Sequence, residues 1–597
     1  MPVKEIKKGV PARKEKPGLY RKYMILLLVL VPAAVYFNVF TLQYTCIDDT
    51  KFIVDNGIYN QDASNILKSF QRGLFNPADH SLYDYYRPVF LVDIIVEYHL
   101  FGSDPMGYHL ASLLFHILSV LLLYVFFLKL KLKDTTSLVL ALLFAVHPAL
   151  SQTVAWIPGR NDLLLTIFLL ASMIFAFNYA AKKKWVDYVF QLFFFFVAIF
   201  TKETAVIIPV LVTFILVFAM KKSWKSLLPL GIGWFTAIFF WFFMVSAVKE
   251  SGNNIPVSEM VRSGISRIPA FPQYLGKIFF PVNLSVRPQI EETSLLWGGL
   301  AVMVIIGLLY YSRSALKPLT ILGISWFLLF LLPVLAVPKI FNDQVYEHRL
   351  YVPVIGILLL LSQTFLFSEK FNDRYRFILF GVIIACFGMV SFSRVGYFKS
   401  PLAYWSRAVA ESPRNAYSKQ MMGTWVKDGA EQEKIMREAR ALDSTLQDIN
   451  LNLGKIAFRN KRYDEAERLL KNELAYTSAI VPDNFFLLGD IAFQKEDFGA
   501  AKKYLAEGLK ISGNANSPAL QLLARAYFSE KNFDSAAITL RKVVDLDPMN
   551  EAAYNNLVNV YLSLGQKDSV LVLVGKMKQK GLKPAPELLV LLEAKQR

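Results

Sequence analysis

The stretch MILLLVLVPAAVYFNVFTLQYTCIDD, residues 24–49, decides how this chain is read. Its first part, 24–43, carries no charge and is long enough to cross a bilayer core of ~30 Å, which takes about 20 helical residues. Two adjacent carboxylates, Asp48 and Asp49, then stand in the first loop after it, with Lys51 close by. An acidic pair beside a bilayer suits few purposes: metal binding, general-base chemistry, or holding a polar acceptor.

The pattern repeats downstream. Apolar stretches near 109–130, 136–150, 162–181, 186–200, 203–220, 227–247, 296–311, 319–337, 350–367 and 374–392 bring the expected count to about 11 spans. The stretch 88–101 is apolar too, but Asp93 and Glu97 make it an amphipathic or surface helix. The basic start, 1–23, precedes a run with no small-residue cleavage site, so the first helix is retained and the N-terminus is cytoplasmic. The connections that then fall on the cytoplasmic side are all basic: Lys129 to Lys133, Lys182 to Lys184, Lys221 to Lys225, Arg313 with Lys317, and Lys370 to Arg376. An odd number of spans places the tail outside.

From Glu411 onward 27 Lys+Arg face 24 Asp+Glu, so the overall charge of +18 sits almost wholly in the membrane half. Nucleic-acid binding would put the basic excess on a soluble domain, so nucleic acid is excluded as a partner. Two cysteines, Cys46 and Cys386, make neither a disulfide framework nor a cysteine metal site. No P-loop, dinucleotide fingerprint or GxSxG is present. An outer-face transferase therefore needs an energised donor already in the membrane.

The tail repeats with a period of 34–35 residues. Leu453-Gly454, Leu488-Gly489, Leu523-Ala524 and Leu557-Val558 align; Ala466, Ala501 and Ala536 follow, and Tyr463, Phe498 and Phe533 recur between. This is the tetratricopeptide helix–turn–helix pattern, with small residues where two helices touch. The expected architecture is all-α: a polytopic membrane helix bundle followed by a tetratricopeptide-repeat solenoid. Its divisions are a basic cytoplasmic segment 1–23, a membrane domain 24–395 with a first outer loop 44–108, connecting helices or a degenerate repeat at 396–447, and repeats at 448–597.

The polar motifs all fall on the outer face. Asp48 and Asp49 supply a base for an acceptor hydroxyl, and partial desolvation would raise their basicity. Which of the two is the base stays open, with a lean to Asp49. They are also the one place for a divalent cation, magnesium or manganese, through oxygen ligands. Arg160, Lys202, His348 and Arg349 are cations at the outer mouths of different helices, a set that suits a phosphate. Arg87, His147, Asp162, Glu203 and Glu347 support them, the acids by pairing with the cations. His147 reads as a helix-end residue; with His116 and His80 it lacks metal-ligand spacing.

In order along the chain, the matching pieces of a known family are Asp48-Asp49 with Asn56; Tyr86-Arg87-Pro88; His147-Pro148 leading to Val154-Ala155-Trp156 and Gly159-Arg160-Asn161-Asp162-Leu163; Lys202-Glu203-Thr204; Phe280-Pro281-Val282-Asn283-Leu284-Ser285; and Glu347-His348-Arg349-Leu350-Tyr351-Val352-Pro353. On these the chain resembles the transmembrane and tetratricopeptide-repeat-containing O-mannosyltransferases of the C-type glycosyltransferase class. The resemblance implies transfer of a sugar from a polyprenyl-phosphate donor to a hydroxyl, with protein Ser/Thr as acceptor, outside the cytoplasm. It implies that Asp48 or Asp49 is the base, and that the later Arg and Lys residues serve the lipid phosphate. The simple chain and few cysteines point to a bacterial inner membrane with a periplasmic tail. Two rival readings are a non-catalytic membrane scaffold that binds proteins through its repeats, and a lipid-linked-glycan ligase or polymerase.

Overall fold

In the computed structural model the described residues are 17–75, 85–248, 256–282, 284–335, 345–476 and 481–585. His80 and Asn283, named above, lie outside them. The described residues contain helices and no strand. The chain divides into two units, Met1–Arg414 and Asn415–Arg597. The division falls inside the segment 396–447 expected to connect bundle and repeats.

Every apolar stretch of the first unit lies on a helix. Among the described residues five helices are long and apolar enough to cross a membrane: Tyr20–Thr41, Pro105–Lys129, Ile157–Lys182, Trp224–Val248 and Asp373–Phe398. A sixth results if the bent pair Asp134–Val146 and Pro148–Ala155 is one span. Trp185–Thr201, Glu203–Ala219, Leu296–Ser312, Pro318–Pro333 and Pro353–Ser362 are shorter apolar helices.

Burial ranks these helices. Ile157–Lys182 is mostly buried and Trp224–Val248 mostly exposed, so the former is the hub and the latter is peripheral. Phe235, Phe239, Phe242 and Phe243 of the peripheral helix are exposed apolar surface, as lipid contact requires. Elsewhere helices meet through small residues. A Cβ on Gly323 would lie 2.4 Å from the Gly356 carbonyl oxygen, and the reverse holds too, so Pro318–Leu335 and Pro353–Ser362 touch backbone to backbone there.

The 53° bend between Asp134–Val146 and Pro148–Ala155 sits at His147-Pro148. Pro148 has no N–H, and the residue before a proline is pushed to extended backbone; His147 has φ −67° and ψ 123°. The His147 ring closes the break. Its Nδ1 accepts from the Ala149 N–H at 3.2 Å, which leaves Nε2–H to donate to the Ile278 carbonyl at 2.9 Å. His147 is thus a helix-end residue. His116 is equally structural, held between the Tyr351 hydroxyl and the Ala145 carbonyl.

The helix Pro88–Phe101 is not a surface helix. It buries Phe90, Leu91, Ile94, Ile95 and Glu97, and packs against Pro105–Lys129. Its two acids, four residues apart and so on one face, turn inward to Arg160.

The second unit is a stack of helical hairpins. Ile449–Arg459 pairs with Tyr463–Tyr476, Pro482–Gln494 with Phe498–Ile511, Ser517–Ser529 with Phe533–Leu546, and Glu551–Ser563 with Lys567–Gln579. A further pair, Ala416–Trp425 with Gly429–Leu442, precedes them. The repeat glycines are there for contact: a Cβ on Gly489 would meet Leu505 Cγ at 2.6 Å. Asp497, Asn516, Asn532 and Asn550 each cap the next helix through a side-chain oxygen.

Candidate active site

Several segments far apart in sequence meet around one cavity of ≈ 360 Å³. They are the loop with Asp48 and Phe52; Tyr85 and Arg87; the turn Trp156 to Asp162 with Lys202, Glu203 and Thr204; and Tyr346 with His348 and Arg349. Asp48, Arg87, Asp162, Lys202, Glu203, His348 and Arg349 were all expected at the site, and all line this cavity.

The two adjacent acids take different parts. Asp49 is 1% exposed, and both its oxygens are engaged: one accepts from the Thr45 N–H at 2.5 Å and the Thr45 hydroxyl at 2.9 Å, the other from the Thr50 N–H at 3.0 Å. It fastens the loop. Asp48 is the one that lines the cavity. Burial, and then the charge of Asp49, push the Asp48 carboxyl up to about 6, with Lys51 and Arg287 opposing. A magnesium or manganese ion held by the pair would share the Asp49 oxygens with these loop hydrogen bonds. Among the described residues no group of three or more His, Cys, Asp or Glu converges as metal ligands.

The cations also separate. Lys202 reaches Asp162 at 2.7 Å at the cavity wall. Arg87 makes a two-pronged pair with Glu203, at 3.2 and 2.8 Å, and lies over the Tyr85 ring. Arg349 lies 5.5 Å above the Tyr346 ring. The His348 ring stacks on Tyr346 at 5.2 Å; burial and the charges of Arg349, Lys202 and Arg87 hold its imidazole well below its usual range, hence neutral.

Arg160 is elsewhere. It is wholly buried, and its guanidinium is occupied by Asp93 at 2.9 Å, by Glu97, by the Tyr108 carbonyl at 2.6 Å and by the Ser112 hydroxyl at 3.1 Å. The structure does not bring it to the cavity, because two acids from Pro88–Phe101 claim its fork first. Arg160→Lys cannot reproduce that fork. We expect it to lower stability by about 1–3 kcal/mol, seen as an earlier melting transition of the solubilised protein. Glu347 is likewise beneath the site rather than in it. Fully buried, it pairs with Lys277 and Arg394.

Residues 88–248 match the family model described as dolichyl-phosphate-mannose-protein mannosyltransferase, and 492–559 match one for the tetratricopeptide repeat. Protein O-mannosyl-transferase TMTC3 of Mus musculus is 32% identical over 192 residues, which are 30% of this chain and 20% of the mouse protein. Protein O-mannosyl-transferase F38B6.6 of Caenorhabditis elegans is 33% identical over 132 residues, 21% of this chain and 19% of its own. Over these stretches the chain is similar to the protein O-mannosyl-transferases. It spans about a fifth of the length of these relatives. The crystal structure of YrrB, titled a TPR protein with an unusual peptide-binding site, aligns over 32% of this chain and 98% of its own, at 19% identity and a TM-score of 0.28.

The stretch shared with the mannosyltransferase model contains Arg87's neighbour helix, the turn Trp156 to Asp162, and Lys202 with Glu203. Asp48 and the segment Tyr346 to Arg349 lie on either side of it. Sequence reasoning gave Trp156, Asn161 and Tyr346 no role, although all three line the cavity. Trp156 and Asn161 stand inside motifs carried by the resemblance, which was the available signal.

Proposed function

We propose that this protein is a membrane glycosyltransferase that moves a sugar from a polyprenyl-phosphate donor to a hydroxyl acceptor, protein Ser/Thr being the class favoured, on the extracytoplasmic face. The observation that carries this reading is one cavity lined at once by the Asp48 carboxylate and by Arg87, Lys202 and Arg349. The names of these relatives support mannose as the first sugar to try. Basic cytoplasmic connections support the face.

The acceptor O–H approaches Asp48. As its oxygen bonds to the anomeric carbon, the proton passes to the Asp48 carboxylate. The bond from that carbon to the phosphate oxygen breaks, and its electron pair leaves with the lipid phosphate. Lys202 and Arg349 stabilise the anion as it forms, while Glu203 fixes the Arg87 guanidinium at the same wall. A single displacement inverts the anomeric centre. Asp162 holds Lys202 in place. The repeat unit presents or selects the protein acceptor.

The reading sets a pH dependence. The base works only when ionised, and Asp48 is raised to about 6, so turnover falls as pH drops through about 6. Initial rates of mannose transfer from polyprenyl-phosphate mannose, followed from pH 4.5 to 8, measure this limb. A rate flat down to pH 4.5 would remove Asp48 from the role. Failure to transfer from any polyprenyl-phosphate sugar would remove the reading itself.

A further inference from the structure

We propose that Trp156, Tyr346 and His348 form an aromatic shelf which, with Asn161, is the subsite that selects the sugar ring of the donor by its hydroxyl groups. This rests on the donor reading above and assigns residues that reading leaves idle.

The first observation is the stack. The Trp156 and Tyr346 rings lie 6.3 Å apart at 24°, Tyr346 and His348 at 5.2 Å and 30°, and Trp156 and His348 at 5.2 Å and 48°. All three residues line the cavity. Such a wall offers flat, rigid, half-apolar surface to the C–H face of a pyranose. The shelf is held from behind: the Tyr346 hydroxyl accepts from Arg287 at 3.1 Å, and the His348 backbone N–H donates to Gln152 Oε1 at 3.3 Å.

The second observation is independent of the first. Three buried polar atoms on these cavity residues have no hydrogen-bond partner: Trp156 Nε1, Asn161 Oδ1 and His348 Nδ1. Buried polar atoms are normally paired, with protein or with water, so a cluster of three at one cavity marks a place where a polar ligand can bond. Their chemistry narrows it. Indole N–H only donates. Asn161 spends its amide nitrogen on the Pro158 carbonyl at 3.0 Å, so the atom left over only accepts. A phosphate, which only accepts, would satisfy Trp156 and repel Asn161. An ammonium, which only donates, would do the reverse. A hydroxyl does both, and the neutral imidazole can do either. A group that both donates and accepts satisfies all three, and on the donor reading that group is the uncharged sugar ring with its several hydroxyls. Recognition is therefore divided: Arg87, Lys202 and Arg349 read the phosphate, and the shelf reads the sugar.

Binding of two probes to the full-length solubilised protein tests this: polyprenyl-phosphate mannose and bare polyprenyl phosphate, with polyprenol as the uncharged control. Trp156→Phe keeps an aromatic ring and deletes one N–H. It should weaken the mannosyl lipid about tenfold and leave the bare phosphate lipid unchanged. Asn161→Ala should do the same. Arg349→Ala should weaken both. If Trp156→Phe binds both lipids as the parent does, or loses both in parallel while still folded by its melting transition, the sugar subsite is wrong and the donor reading survives. If the unmodified protein prefers neither phosphate lipid over polyprenol, the donor reading falls, and this proposal with it.

Discussion

Asp48→Asn should lower sugar transfer by about 10²–10⁴-fold without unfolding the protein. The two halves of that statement have separate causes. Asp48 is the acid of the pair that lines the cavity, and deleting a general base costs rate of this order. Its effect on stability has the opposite sign. A carboxyl raised from the ordinary range to about 6 binds its proton more tightly in the folded chain than in the unfolded one. Folding is then favoured by protonation below pH 4, and that advantage is lost as pH rises through about 6. At neutral pH the partly buried charge costs stability, so the neutral amide should melt no earlier than the parent. Asp49→Asn should behave differently. It puts an NH₂ group against N–H and O–H donors of Thr45 or Thr50, and it removes the charge that helps to raise Asp48. The acid limb of its rate profile should move below the parent's, with a lower melting temperature. Activity that survives Asp48→Asn but not Asp49→Asn would reverse the assignment.

That contrast marks where the sequence could be read and where it could not. The repeats were legible because each hairpin touches only its neighbours, so the contacts repeat with the letters: Gly454 meets Leu470, and Gly489 meets Leu505 one period later. The cavity was half legible. Charged residues on outer loops of an apolar chain are few, and most of those singled out, Asp48, Arg87, Asp162, Lys202, Glu203, His348 and Arg349, do line one cavity. What the letters hide is which way neighbouring side chains turn. Asp48 and Asp49 differ only in a loop whose backbone includes Cys46 at φ 58°, and nothing in the string shows that. Arg160 went astray because its partners sit on a helix taken for a surface one; Asp93 and Glu97, four apart among apolar residues, were the signal that an interior cation awaited them. Trp156 and Tyr346 are some 190 residues apart, and their stacking is a product of tertiary structure alone.

Glu347 should prove the residue least tolerant of single replacement. It is 0% exposed, and its oxygens take Lys277 at 2.9 Å, the Ser285 N–H at 2.6 Å and Arg394 at 2.7 Å. Lys277 and Arg394 are themselves almost wholly buried. Arg394 also lies 4.0 Å from Glu411, which accepts from the Val286 N–H at 2.8 Å, so one acid at 347 organises strands of chain from 277 to 411. Glu347→Leu would leave two cations buried with too little counter-charge, and removing one partner of such a set costs about 3–5 kcal/mol. The expected result is protein that solubilises poorly and melts far earlier. The combined variant Glu347→Leu, Lys277→Met, Arg394→Met makes the sharper measurement. Apolar groups of similar volume need no pairing, so the triple variant should melt later than the single one. It should nevertheless transfer sugar poorly. Glu347 adjoins His348 and Arg349, and its ties to Lys277, Ser285 and Arg394 are the buried ionic part of what fixes that segment at the cavity wall, beside the bonds of Tyr346 to Arg287 and of His348 to Gln152. A triple variant with full activity would show the ion cluster to be a stability element alone; one no more stable than Glu347→Leu would show that the buried charges are not what makes the single change costly.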